Sequence, residues 1–144
     1  MESEFTPVLR EGYLGRRFLA GLIDYTLIWG ATYAYVFSMG QPNEEGGYSV
    51  NGLAGLVPIL IWLSLTVFIE IGLGATIGNG VAGLKPVPLY GRSNSINFSQ
   101  SLRRHLADPV DMFFFGLVGI LTIKNSLNKQ RLGDIWANTV VIKA

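Results

Sequence analysis

The stretch RRFLAGLIDYTLIWGATYAYVF, residues 16–37, reads as a membrane helix with one letter out of place. Two arginines open it, and from Phe18 to Met39 the only charged side chain is Asp24. Twenty-two helical residues reach ~33 Å, enough to cross a hydrocarbon core of ~30 Å. An Asp at mid-membrane costs ~2.5–3.5 kcal/mol on insertion scales. Asp24 must therefore be paired, hydrogen-bonded or protonated, and the reading of the chain turns on which.

Composition agrees with a membrane setting. Of 144 residues, 49% are hydrophobic and only 15% charged, below the roughly 25% usual for soluble domains. Leu53–Ile69 is a second uncharged run, ending at Glu70, and the predicted spans are about 18–39 and 53–73. Met112–Ile123 is a third, only twelve residues long. The N-terminal MESEFTPVLREGYLG lacks the features of a cleaved signal peptide, so the first span is expected to remain as an anchor. There is no cysteine, which excludes disulfides, thiolate chemistry and cysteine metal sites.

The basic residues give an orientation. Arg10, Arg16 and Arg17 precede the first span, and Lys85, Arg92, Arg103 and Arg104 follow the second. Residues 41–52, QPNEEGGYSVNG, carry Glu44 and Glu45 and no base. Cytoplasmic connections are rich in Lys and Arg. The N-terminus and the 74–105 connection are thus expected in the cytoplasm of a bacterial-type plasma membrane, with the 40–52 loop outside. The third helix, about 106–123, includes Asp108, Pro109 and Asp111, and four bases follow it. It is either a tilted span or a re-entrant or interfacial helix, and the charges favour the second. GLKPVPLYGRSNSINF, residues 83–98, suggests two short strands around a turn at Tyr90–Asn94, with the terminal NTVVIKA as a third. That third strand pairs only if it lies on the cytoplasmic side.

On the first helix, Arg17, Ala20, Asp24, Leu27, Ala31 and Ala34 share a face of mostly small residues, while Leu19, Ile23, Thr26, Tyr33 and Phe37 suit lipid. Asp24 should face protein. Arg17 is two turns away, too far for direct pairing, so Arg103 and Arg104 are the expected partners. Glu70 closes the second span and needs a cation too, because the helix C-terminus repels it. Asp24, Glu70, Arg103 and Arg104 are therefore the candidate ion-binding or ion-pair network.

Four blocks in order, RRFLAGLID, GATIGNGVAGLKPV, SLRRHL and LGDIWANTVVIK, resemble the RDD-domain membrane proteins, named for one arginine and two aspartates. The resemblance covers nearly the whole chain, a single domain over 1–144, and puts the family's residues on Arg17, Asp24 and Asp134. It implies a small polytopic membrane protein with a presumed transport role. The family's Gly-Gln-Thr-Pro-Gly-Lys block stands here as Gly74 to Asn79, so a role for its lysine cannot be carried over. Its glycine before Thr-Val-Val is Asn138.

Other residues read blandly. His105, the only histidine, is expected at a surface or interface, and Asp108 and Asp111 solvated or at a helix N-terminus. GATIGNG lacks the Lys and Ser/Thr of a phosphate loop and reads as a flexible helix exit. No catalytic, metal or nucleotide pattern stands out, so no enzyme activity, cofactor, metal or nucleic-acid partner is expected. The predicted fold is an all-α integral membrane protein with two transmembrane helices, a third short transmembrane or re-entrant helix and a small cytoplasmic β element. Two functions fit. One is a component for ion or small-solute transport using intramembrane carboxylates. The other is a non-transporting scaffold or assembly subunit. The expected partners are the lipid bilayer and either a homo-oligomer or another membrane protein.

Overall fold

The computed structural model describes residues 11–144. The N-terminal tail through Arg10, expected in the cytoplasm, lies outside the described residues. Helix α1, Leu14–Met39, is unbroken and ~39 Å long at ~1.5 Å per residue. It buries Ala20, Asp24 and Ile28. The protein-facing stripe continues from Asp24 to Ile28, with Thr32 and Tyr35 half-buried, whereas Leu27, Ala31 and Ala34 are exposed. The expected face thus holds only through Asp24. Beyond it the i+4 neighbour, not the i+3 neighbour, meets protein. Ile23, assigned to lipid, is half-buried.

After a two-residue hairpin, β1 (Gln41–Pro42) with β2 (Tyr48–Ser49), the second long helix α2 runs Gly52–Leu73. It starts as a 3-10 turn at Gly52–Leu56 and is α-helical over Val57–Leu63, with proline in its first turn. It widens to a π-helix over Ser64–Phe68 and closes as α over Ile69–Leu73. The π turn buries Thr66 and Val67. The Thr66 hydroxyl donates to the Trp62 carbonyl at 2.7 Å, a local bond that competes with the regular ladder. Among the described residues α2 is the single helix both long and apolar enough to cross a membrane. α1 has the length, but its Tyr, Thr, Ser and Gly residues dilute its apolarity.

Short elements follow: α3 (Ile77–Val81), β3 (Leu84–Pro88), α4 (Phe98–Leu106), α5 (Asp108–Asp111), α6 (Phe113–Asn125), α7 (Leu132–Ala137) and β4 (Thr139–Lys143). The Phe98–Asp111 segment and α6 together match a span in length and apolarity, but they meet at a bend of 116°. Phe114, Phe115 and Gly116 sit in left-handed backbone at the start of α6.

β3 pairs antiparallel with β4, Leu84 opposite Lys143 and Pro88 opposite Thr139. The strand expected after Tyr90–Asn94 does not form. The reason lies in the prolines. Leu89 N–H donates to the Asn138 carbonyl, so odd-numbered residues of this strand face β4. Pro86 and Pro88 then turn toward the outer edge, where a further strand would need their missing N–H groups. The inner face of the pair closes a small core of Ala20, Ala82, Leu84 and Val141 against α1.

Candidate functional site

Five buried carboxylates gather where α1, α2, α4, α5 and α7 meet: Asp24, Glu70, Asp108, Asp111 and Asp134. Arg17, Arg104, Arg131 and His105 stand among them.

Asp134 is the hub. It occupies the first turn of α7, accepting from the Arg131 backbone N–H at 3.1 Å. Arg17 from α1 and Arg104 from α4 each form an ion pair with one of its oxygens, and Arg131 Nε lies 3.6 Å away. Burial raises its pKa, but the charges of Arg17, Arg104 and Arg131 outweigh that and hold it well below the usual carboxylate range. α7 comes this close to α4 because residue 133 is glycine. A Cβ there would sit 2.5 Å from the Arg104 carbonyl oxygen.

Arg104 also reaches Glu70 Oε1 at 3.4 Å. Glu70 Oε2 accepts from the Ser101 hydroxyl at 2.6 Å and lies 3.1 Å from His105 Nε2. The other ring nitrogen of His105 is 2.9 Å from Asp108 Oδ2, which also accepts from the Tyr25 hydroxyl at 2.7 Å. Arg131 Nη1 donates to Asp108 Oδ1 at 2.7 Å. Desolvation favours neutral His105, but Asp108 and then Glu70 prevail and hold the imidazole pKa up at about 9. Asp108 is held down at about 2, burial being outweighed by Arg131 and His105. Asp111 is pushed up by burial. Its oxygens accept from the Leu132 and Gly133 backbone N–H groups at 2.9 and 3.0 Å, and Arg131 is no nearer than 3.9 Å.

Asp24 stands apart. Its Oδ2 accepts from the Thr76 hydroxyl and its Oδ1 from the Gly78 N–H, each at 2.6 Å. Both donors come from the start of α3, where Thr76 is also the N-cap, its hydroxyl accepting from Asn79 N–H. The fit requires glycine at 78, because a Cβ would lie 2.0 Å from the Ala20 carbonyl oxygen and 2.8 Å from Asp24 Cγ. GATIGNG is therefore not a loose exit from α2 but the cradle of the buried acid.

Among the described residues Asp24 has no cation within pairing distance, whereas the other four carboxylates do. It lies on the wall of a cavity of about 280 Å³ between α1 and the α5–α6 bend. No three His, Asp or Glu side chains among the described residues are placed to hold a metal ion.

The structure brings Glu70 and Arg104 together but not Asp24 and Arg103. Arg103 is exposed on the outer face of α4, with no ion pair among the described residues. His105, expected at a surface or interface, is 5% exposed, and Asp108 and Asp111, expected to be solvated or at a helix N-terminus, do lie in the first turn of α5 but are buried, at 2% and 3% exposed. Each has an opposite charge beside it, Glu70 and Asp108 for His105 and Arg131 for the two aspartates. Residue-by-residue reading passed over Tyr25, Thr76, Gly78, Ser101 and Arg131. Two signals were available. His105 and Asp108, and likewise Arg131 and Asp134, are three apart, the spacing of helical neighbours.

No curated protein and no solved structure matches this chain. Residues 12–138 match the sequence model of the RDD family, a stretch that contains every charged residue of the cluster. The chain belongs to the RDD family.

Proposed function

We propose that this chain is an integral membrane protein, α1 and α2 crossing the bilayer, that serves as a component for moving a cation or proton, with Asp24 as the carboxylate that takes the charge. One observation carries this reading: Asp24 is buried at 9% exposure, borders a cavity, and has hydrogen-bond donors but no counter-cation among the described residues. Ionisable groups held inside membranes by default mark ion or proton pathways. Glu70 is the poorer candidate, since Ser101, Arg104 and His105 already engage it. Two or three helices cannot enclose a pore alone, so a conduit requires copies of this chain or another membrane protein.

A second reading is supported by the rest of the cluster. Arg17, Asp134, Arg104 and Glu70 form a continuous chain of ion pairs linking α1, α7, α4 and α2, which is what a non-transporting scaffold needs. One experiment separates the two. Protein reconstituted into liposomes should move protons or sodium at a rate that Asp24→Asn lowers at least tenfold. If wild type and variant are equally silent while a membrane partner co-purifies with both, the scaffold reading holds instead.

A further inference from the structure

We propose that the cavity beside Asp24 binds a protonated primary amine with an apolar body, the ammonium group on the carboxylate and the body along the walls. This rests on the cation-binding reading of Asp24 and narrows its ligand to a chemical class.

Charge is the first argument. With His105 as imidazolium and all five buried carboxylates ionised, the acids face four buried or half-buried cations, leaving one negative charge. That charge falls on Asp24, the acid without an ion pair among the described residues. A buried unpaired charge is costly, and a cationic ligand relieves the cost.

The walls give the second argument. Leu14, Phe18, Leu22, Met112, Ile120 and Ile123 make the cavity walls mostly hydrocarbon, and the Arg17, Arg104, His105 and Arg131 side chains that also border it are each engaged by a carboxylate. Such walls offer a bare sodium or calcium ion fewer oxygens than the shell it gives up on leaving water. They suit an alkyl or aromatic body, and a volume of about 280 Å³ is near the lower end for small-molecule sites.

Hydroxyl orientation gives the third. Tyr25 and Thr66 also line the cavity, and each hydroxyl proton is already committed, Tyr25 to Asp108 and Thr66 to the Trp62 carbonyl. What these oxygens offer a ligand is acceptance alone. Each Asp24 oxygen has received one donor and can accept another. Together with the Asp24 oxygens, these acceptors favour a head that donates in several directions, as R–NH3+ does. A quaternary ammonium has no N–H to give, and an alcohol has no charge.

The way in is lateral. Phe18, Leu22 and Phe115 line the cavity while being 58%, 55% and 95% exposed. The mouth therefore lies between α1 and α6, on an apolar surface from which a membrane-partitioned amine can enter.

The test uses the full chain in nanodiscs of zwitterionic lipid, with radiolabelled octylamine as probe and octanol and octyltrimethylammonium as competitors. Saturable octylamine binding is expected, displaced at least tenfold more weakly by either competitor. Asp24→Asn should weaken it at least tenfold. Leu22→Trp, which fills the mouth from an exposed position, should do the same in a protein with unchanged melting temperature, and it decides the matter if Asp24→Asn does not fold. Absence of saturable binding, equal displacement by octanol, or wild-type affinity in the folded variants would overturn the proposal. Asp24-dependent sodium or proton flux without amine binding would sink this inference and leave the broader reading standing. Amine binding through Asp24 in a flux-silent protein would do the reverse.

Discussion

A guanidinium buried between two carboxylates cannot be removed without leaving charge stranded, and Arg104 is placed in that way. It is 1% exposed and bridges Glu70 and Asp134. Breaking a buried pair by deleting one partner typically costs about 3–5 kcal/mol. Arg104→Ala should therefore lower stability by that order, read as unfolding of detergent-solubilised protein. Arg103→Ala, one residue earlier on the exposed side of α4, should stay within about 0.5 kcal/mol. Equal effects from the two would refute the assignment of the buried base. The sequence offered SLRRHL without distinguishing the two arginines, because a choice between adjacent residues needs the rotation of α4 about its axis. That rotation is set by Ser101, Arg104 and His105 all meeting α2 and α7.

At the scale of elements, α4 is held by a histidine whose charge state is part of the packing. His105 stands between Glu70 of α2 and Asp108 of α5, its pKa raised to about 9. A group raised above its unfolded value, near 6.5, gives full stabilisation below that pH and loses it as pH rises through the folded value. The loss on going from pH 6.5 to above 9 should be on the order of 3 kcal/mol. His105→Gln should be less stable at pH 6 and should flatten this part of the profile. A wild-type melting temperature that does not fall between pH 7 and pH 10 would contradict the imidazolium.

What was legible at this scale follows a simple division. The long helices were readable because uncharged runs and their ends are local signals. The four motif blocks singled out Arg17, Asp24 and Asp134, and the structure buries both acids and pairs Arg17 with Asp134. The pairings were not readable, because each joins elements far apart in the chain. In sequence logic Asp24 is paired, hydrogen-bonded or protonated, with Arg103 and Arg104 as the expected partners. The structure instead supplies a hydroxyl and a backbone N–H, and a backbone N–H carries no letter. The bend of 116° before α6 has a partial signal in the Asp108-Pro109 pair, but the left-handed Phe114 and Phe115 follow no residue preference.

For the whole molecule, the β3–β4 pair fixes one relation. Lys143 lies opposite Leu84, and Ala144 N–H donates to the Gly83 carbonyl at 2.8 Å. The C-terminal strand and the segment after α3 therefore share a side, whichever side that is. Single cysteines can be introduced cleanly, since the chain has none. In intact cells, Ala144→Cys and Ser93→Cys should react alike with an impermeant maleimide, and Ser49→Cys, beyond the far end of α1, should behave oppositely. Labelling of Ala144→Cys together with Ser49→Cys would dismantle the proposed two-span arrangement.

Arg17 and Asp134 meet across 117 positions of sequence. On a ribosome that separation is time. On the proposed two-span reading, the first helix is inserted before the counter-charge of Arg17 has been synthesised, and Glu70 likewise precedes Arg104. Docking of α7 is then the step that closes the assembly. A nascent chain stalled upstream of Asp134 would leave Arg17 without its counter-charge, while Arg104 would still have Glu70.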